Sequence, residues 1–239
     1  MSDAAEHIVK SFEHDLLRLS DLVTRMGGLV ETQVALAAAA VVERDAAAAT
    51  RTVEMDPEVD ALEREVEQFA IRLLALRQPV AADLRRIVAA LKITAGLERI
   101  GDYAVNAAKR SMVLEQFAVS YSLAALGSMA RLVQQNLKTV IDAAGANDSA
   151  KALEVWRSDR MIDDLYTAIF RELVTYMMED PRNITPCTHL LFIAKNLERI
   201  GDHATNVAET VYYAATGQVL PDDRPKGIGS AYATEPAQM

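Results

Sequence analysis

LERIGDYAVNAA (97–108) and LERIGDHATNVA (197–208) write one pattern twice, 100 residues apart. In the first copy Ile93, Leu97, Ile100, Ala104 and Ala107 recur at three and four residues, the spacing of one apolar helix face. Glu98, Asp102 and Asn106 follow at intervals of four and form a second stripe away from that face, and Glu198, Asp202 and Asn206 repeat it. The spacing therefore predicts two equivalent helices that turn carboxylates toward the surface of a bundle. Gly101 and Gly201 fall in mid-helix, where glycine costs about 1 kcal/mol relative to alanine. Something is expected to approach each closely, either a packed helix or a ligand or partner.

The repeat extends outward from these helices. With a shift of 103, DAAAATRTVEMDPEVD (45–60) lies over DSAKALEVWRSDRMID (148–163), which pairs Asp45 with Asp148, Asp56 with Asp159 and Asp60 with Asp163. Upstream, Ile8, Phe12, Leu16, Leu19, Val23, Met26, Val30 and Val34 keep helical spacing through a proline-free stretch. Asp45 reads as a cap between the first helix and a second that runs to about Arg77 and accommodates Pro57 only if a helix begins nearby. RQP (77–79) ends that helix, and a third spans about 80–115 with Asp83 as a capping-type residue near its start. The expected fold is all-α: two tandem antiparallel three-helix bundles, residues 1–116 and 117–216, then a disordered tail over 217–239 rich in Gly, Pro, Asp and Ala.

Hairpin register brings the acids of neighbouring helices to one level. Counted from Pro79, Asp60 lies 19 residues before and Glu98 19 after, while Asp56 and Asp102 lie 23 before and after. Counted from Pro181, Asp163 and Asp159 lie 18 and 22 before, and Glu198 and Asp202 lie 17 and 21 after. At about 1.5 Å rise per residue each set of four is level. Like charges four apart on a helix cost about 0.2–0.5 kcal/mol per pair, and a bound cation relieves the conflict. Oxygen-only ligands suit magnesium, manganese, calcium or oxidised iron. The alternative is a solvated acidic face. Glu63, Glu65 and Glu67 have no counterpart in the second half and read as surface charge. His203 adjoins an acidic motif but corresponds to Tyr103, so an imidazole ligand would not be shared by the halves. Arg99 and Arg199 repeat as well and could bind an anion or a partner carboxylate, with a salt bridge to a neighbouring helix as the expected role.

Composition narrows the function classes. Hydrophobic residues make up 51% and aromatics 5% of the 239 residues, as helices packed at close range require. A net charge of -9 disfavours nucleic acid, whose phosphates need a basic face, and favours cations or basic protein surfaces. The single cysteine, Cys187, excludes an intrachain disulfide. The N-terminus lacks a signal-peptide pattern, ALAAAAVV (35–42) is too short to span a bilayer, and no transmembrane segment is expected; the simplest location is the cytoplasm.

The two LERIGD copies, together with MGGLVE (26–31), RQP followed by DLR (77–85) and TYMMED (175–180), closely resemble the PhoU family of phosphate-uptake regulators over about residues 8–216. The resemblance implies two similar three-helix bundles in a cytoplasmic chain, usually a homodimer. It also implies acidic motifs that carry multinuclear metal clusters in some members. Those motifs fall on Glu98 with Asp102, Glu198 with Asp202, Asp56 with Asp60, and Asp159 with Asp163, with iron, zinc, magnesium or manganese as the implied metals. By the same resemblance the chain is a negative regulator of the phosphate-starvation response. It would link the ATPase of the phosphate-specific ABC transporter to a sensor histidine kinase.

Two rival readings remain from the residues alone. A carboxylate-metal enzyme of the oxidase or ferritin kind would show Glu-x-x-His pairs, and no histidine here has a glutamate three positions before it; a metal-dependent phosphatase leaves no such mark. A metal-free acidic adaptor would recruit a basic partner directly.

Overall fold

Strictly periodic apolar residues separated by Asp caps, prolines and left-handed residues give seven α-helices in the computed structural model, which describes residues 2–117 and 122–221, with side chains from Ser11 onward. They are α1 (Ser2–Val42), α2 (Ala46–Glu54), α3 (Asp56–Arg77), α4 (Ala81–Leu114), α5 (Ala124–Ala146), α6 (Ser149–Glu179) and α7 (Ile184–Thr216). The architecture is two tandem antiparallel three-helix bundles: α1, α2 with α3, and α4; then α5, α6 and α7. Among the described residues there is no strand.

Local chemistry fixes the breaks. Asp45 caps α2 by accepting from the Ala48 N–H at 2.9 Å, and its repeat mate Asp148 caps α6 through the N–H groups of Ala150 and Lys151. Pro57 cannot donate to the ladder, so the second helix of the first bundle stops at Met55 and restarts as α3 with the proline in its first turn. Arg160 stands at the equivalent place in α6, which runs unbroken for 31 residues. The expected single helix over 45–77 is thus two helices. Asp83 lies in the first turn of α4 but makes no capping bond, because Val80 in extended conformation is the N-cap. Gln78 and Asn147 adopt left-handed conformations that end α3 and α5.

One continuous core runs through both bundles, carried on the periodic face of α1 (Leu19, Met26, Val30 and Val34) and on Leu97, Ile100, Ala104, Leu197, Ile200 and Ala204. Helices α4 and α7, which bear the repeated hexapeptide, form the most extensive helix pairing in the molecule, so the halves share a wall. Small residues set that distance: a Cβ on Gly96 would sit 2.8 Å from Val207 of α7. Helix α1 over Ser11–Val42 is long and apolar enough to cross a bilayer by length and composition, and half of its most apolar window is buried inside the protein. Gly217 closes α7 with φ +73°, Gln218 to Pro221 follow without regular structure, and the rest of the tail lies outside the described residues.

Candidate functional site

In the first bundle, α3 and α4 bring the predicted acids into one electrostatic group. Burial, then the charges of Asp60 and Asp102, push the Asp56 carboxyl above its ordinary range, against a hydrogen bond from Gln33 and the more distant Lys109. Glu98 is pushed up first by burial and then by Asp102, with Glu63 and Asp60 adding to the effect and Arg99 opposing it. The couplings Asp56 to Asp102 and Asp60 to Glu98 follow the register counted from the hairpin. All four of these carboxylates are half-buried.

Two further residues belong to this group. Glu63 is raised by burial and by Glu67 and Asp60, and its charge reaches Glu98, so it is part of the cluster rather than loose surface charge. The sequence does carry that signal: Glu63 follows Asp56 by seven and Asp60 by three, one stripe of α3. Gln33 of α1, fully buried, donates its amide N–H to the Thr52 carbonyl at 3.1 Å and to Asp56 Oδ1 at 3.5 Å, while its Oε1 has no hydrogen-bond partner. Gly101 makes room for it, since a Cβ there would lie 2.8 Å from that oxygen. Arg99 does not cross to another helix; it spans Glu98 and Asp102 of its own turn at 3.5 Å each and stays largely exposed.

The second bundle keeps the backbone plan and changes the chemistry. Asp159 is buried, 3% exposed, and Thr205 of α7 donates to its Oδ1 at 3.0 Å where the first bundle has Val105. Glu198, 12% exposed, is bridged by Lys195 Nζ at 2.6 Å. Ala95 is the counterpart of that lysine, and Tyr166, whose ring lies 5.1 Å below the ammonium, is the counterpart of Glu63. Asp163 and Asp202 are half-buried on α6 and α7. Gly201 packs against Ile162, with a Cβ there placed 2.7 Å from Cδ1, so both repeated glycines answer to neighbouring helices. Asn106 and Asn206 stand exposed.

Where α4 meets α7, the Tyr103 and His203 rings pack with centroids 5.6 Å apart and planes tilted by 36°, and Arg199 donates to the Tyr103 hydroxyl at 3.2 Å. The two motif helices are therefore tied directly, by the pair in which the repeats differ.

The donor set tests the idea of a metal. Among the described residues no three His, Cys, Asp or Glu side chains converge tightly enough to form a ready-made cage. The first cluster nonetheless suits a hard cation: its donors are all oxygen, the Asp56 and Glu98 carboxyls are raised by burial and then by neighbouring acids, and the buried Gln33 Oε1, packed at Gly101, has no hydrogen-bond partner. Asp56, Asp60, Glu98 and Asp102 could hold such an ion after side-chain rotation. Asp159, Asp163, Glu198 and Asp202 could do so only in competition with Lys195 and Thr205.

Comparison with known proteins concerns the chain and its fold as a whole. A family model described as "PhoU domain" covers residues 23–111 and again 126–211. A Caulobacter vibrioides protein named "Phosphate-specific transport system accessory protein PhoU homolog" is 52% identical over 92% of this chain and 96% of its own length. A Rhizobium meliloti protein of the same name is 47% identical over 92% and 93%. The crystal structure of PhoU from Pseudomonas aeruginosa superposes with a TM-score of 0.84 at 38% identity, covering 87% of this chain and 100% of that one. That of the phosphate transport system regulatory protein PhoU from Streptococcus pneumoniae gives 0.81 at 27% identity, over 88% and 99%.

Proposed function

Because the chain belongs to the PhoU family, we propose that it is a non-catalytic negative regulator of the phosphate-starvation response. It acts as a cytoplasmic homodimer that couples the ATPase subunit of the phosphate-specific ABC transporter to a sensor histidine kinase. One observation carries this reading: a relative named as a phosphate-specific transport accessory protein is 52% identical along nearly the whole of both chains. That supports a role in the phosphate system. The coupling reading is supported by the form of the molecule, a shared wall of two motif helices with acidic side chains on either half.

The carboxylates are the working surface in this reading. Asp56, Asp60, Glu98 and Asp102 in the first half, and Asp159, Asp163, Glu198 and Asp202 in the second, hold iron, zinc, magnesium or manganese. A bound ion supplies the positive charge that lets acids on adjacent helices stand together. Filling a cluster locks α3 to α4, or α6 to α7, and alters the face offered to the partners.

The test is complementation of a strain lacking this chain with the Glu98, Asp102, Glu198 and Asp202 to alanine variant, read by a phosphate-starvation reporter in phosphate-rich medium. Reporter activity should be as high as in the empty strain, with helical circular dichroism unchanged. Full repression by the folded variant removes the acidic surface from the mechanism. Full repression in the strain without the chain removes the regulator reading altogether.

A further inference from the structure

We propose that Lys195 is the resident counter-ion of the second-half carboxylates, so that the two halves take up divalent metal in order, the first half before the second, with Lys195 setting the gap. This rests on the reading that the carboxylates hold metal. It adds a rule for which cluster fills first.

Three observations carry it. The Lys195 ammonium lies 2.6 Å from Glu198 Oε1, a short charge-assisted contact, and the carboxylate it neutralises is mostly withdrawn from water. Its position is fixed from the other helix too, by the face of Tyr166 on α6 at 5.1 Å. Both partners of this arrangement are absent from the first half, where the equivalent residues are the exposed Ala95 and the acid Glu63. Beside Glu98 the two exchanges thus put a carboxylate in place of an aromatic ring and remove an ammonium, while Lys109 and Arg64 act on Asp56 and Glu63.

The nearest cation there is Arg99, at 3.5 Å from each acid with its side chain 59% exposed, which water screens. Gln33, 0% exposed, turns its Nε2 toward Asp56 and its unpartnered Oε1 toward Gly101, the residue before Asp102, where a metal or its water could use that oxygen. In the second half the same register is Asn136, whose unpartnered atom is instead the Nδ2 donor. A metal entering the first half meets negative charge and a free oxygen. One entering the second half must first move an ammonium off Glu198, whose Oε2 is buried and without a partner. Lys195 can make that move, since its side chain is 39% exposed and its stem is flexible.

Metal-stripped full-length protein titrated with Mn2+ alone, followed by calorimetry and by electron paramagnetic resonance of the free ion, tests this. The wild type should show a tight and a weak class of site, about tenfold apart, with Glu98→Gln removing the tight class and Glu198→Gln the weak one. Lys195→Ala should tighten the weak class by about five- to tenfold, and Ala95→Lys, at an exposed position that tolerates a long side chain, should weaken the tight class by a similar factor. The thermal midpoint at a fixed Mn2+ concentration should move in parallel. Two classes that stay equal, or that neither lysine exchange alters while the glutamine variants still lose Mn2+, overturn the role of Lys195 and leave the metal reading standing. No Mn2+ bound to any variant overturns both.

Discussion

Asp56 and Asp159 occupy the same place in the two halves, 103 residues apart, and live in different chemistry. Asp56 begins a helix, half-buried among Asp60, Asp102 and a glutamine amide. Asp159 sits in the middle of an unbroken helix, buried, with a threonine hydroxyl bonded to it. The same holds for Glu98, crowded by acids, and Glu198, paired with Lys195. The repeat has preserved backbone and carboxylate positions while exchanging their neighbours: Ala95 for Lys195, Glu63 for Tyr166, Val105 for Thr205. Duplication of a fold therefore need not duplicate its electrostatics.

Substitutions that break the comparison most strongly lie at the two glycines. Gly201→Ala sets a Cβ 2.7 Å from Cδ1 and 3.3 Å from Cγ2 of the buried Ile162 and should cost about 2 kcal/mol in chemical denaturation. Gly101→Ala should stay within about 1 kcal/mol of the wild type, because what it meets is the end of a flexible glutamine and alanine improves helix propensity. Equal costs would mean that the two close approaches are the same kind of contact. Next comes Thr205→Val, which makes the second half resemble the first and leaves a buried carboxylate short of a donor. A loss of about 1–2 kcal/mol is expected, and no loss would show that Asp159 does not depend on that hydroxyl.

Glutamates sharpen the contrast by the sign of their effect. In metal-free protein at neutral pH, Glu98→Gln should raise the thermal midpoint, by relieving repulsion worth about 0.2–0.5 kcal/mol per like pair. Glu198→Gln should lower it, by removing the partner of Lys195. At about 2–4 °C per kcal/mol for a protein of this size, calorimetry resolves the two directions. Shifts of one sign in both would erase the asymmetry.

The smallest effect is in pH. Asp56, Glu63 and Glu98 are raised above their ordinary values, so the folded state binds more protons than the unfolded chain between the unfolded and folded pKa of each group. Stability from these groups is lost as pH rises through that window and recovered as pH falls. An Asp56→Asn, Glu63→Gln, Glu98→Gln variant should be more stable than the wild type at pH 7, and the difference should shrink as pH falls toward about 4.5. A difference that does not change with pH would mean that neither burial nor neighbouring acids hold these carboxyls above their ordinary range.

The sequence made the helices, the duplication and the hairpin register legible, because periodicity, caps and prolines are local signals: Asp45, Asp148 and Pro79 act where they stand. The pairing of Asp56 with Asp102 followed from counting alone. Rotation of one helix about its axis does not follow from counting, and it decides that Asp159 turns inward while Asp163 stays half-buried. Gln33 and Thr205 were missed because a neutral side chain on another helix has no acidic pattern to mark it. Arg99 was assigned to a neighbouring helix, yet bonding within its own turn fixes fewer side-chain torsions across the bundle.

The interruption at Met55 has a kinetic side. Helix α2 is nine residues long, below the length at which an isolated helix holds itself in water, and it is kept in place by burying Ala48, Ala49 and Thr52. The Thr52 carbonyl is also what Gln33 grips while reaching Asp56. Amide protons of α2 should thus exchange with solvent sooner than those in the matching first third of α6, whose opening would have to unzip a helix of 31 residues. Proline at position 57 gives the first half a small segment that can come and go without unfolding the rest, next to the carboxylate it helps to hold.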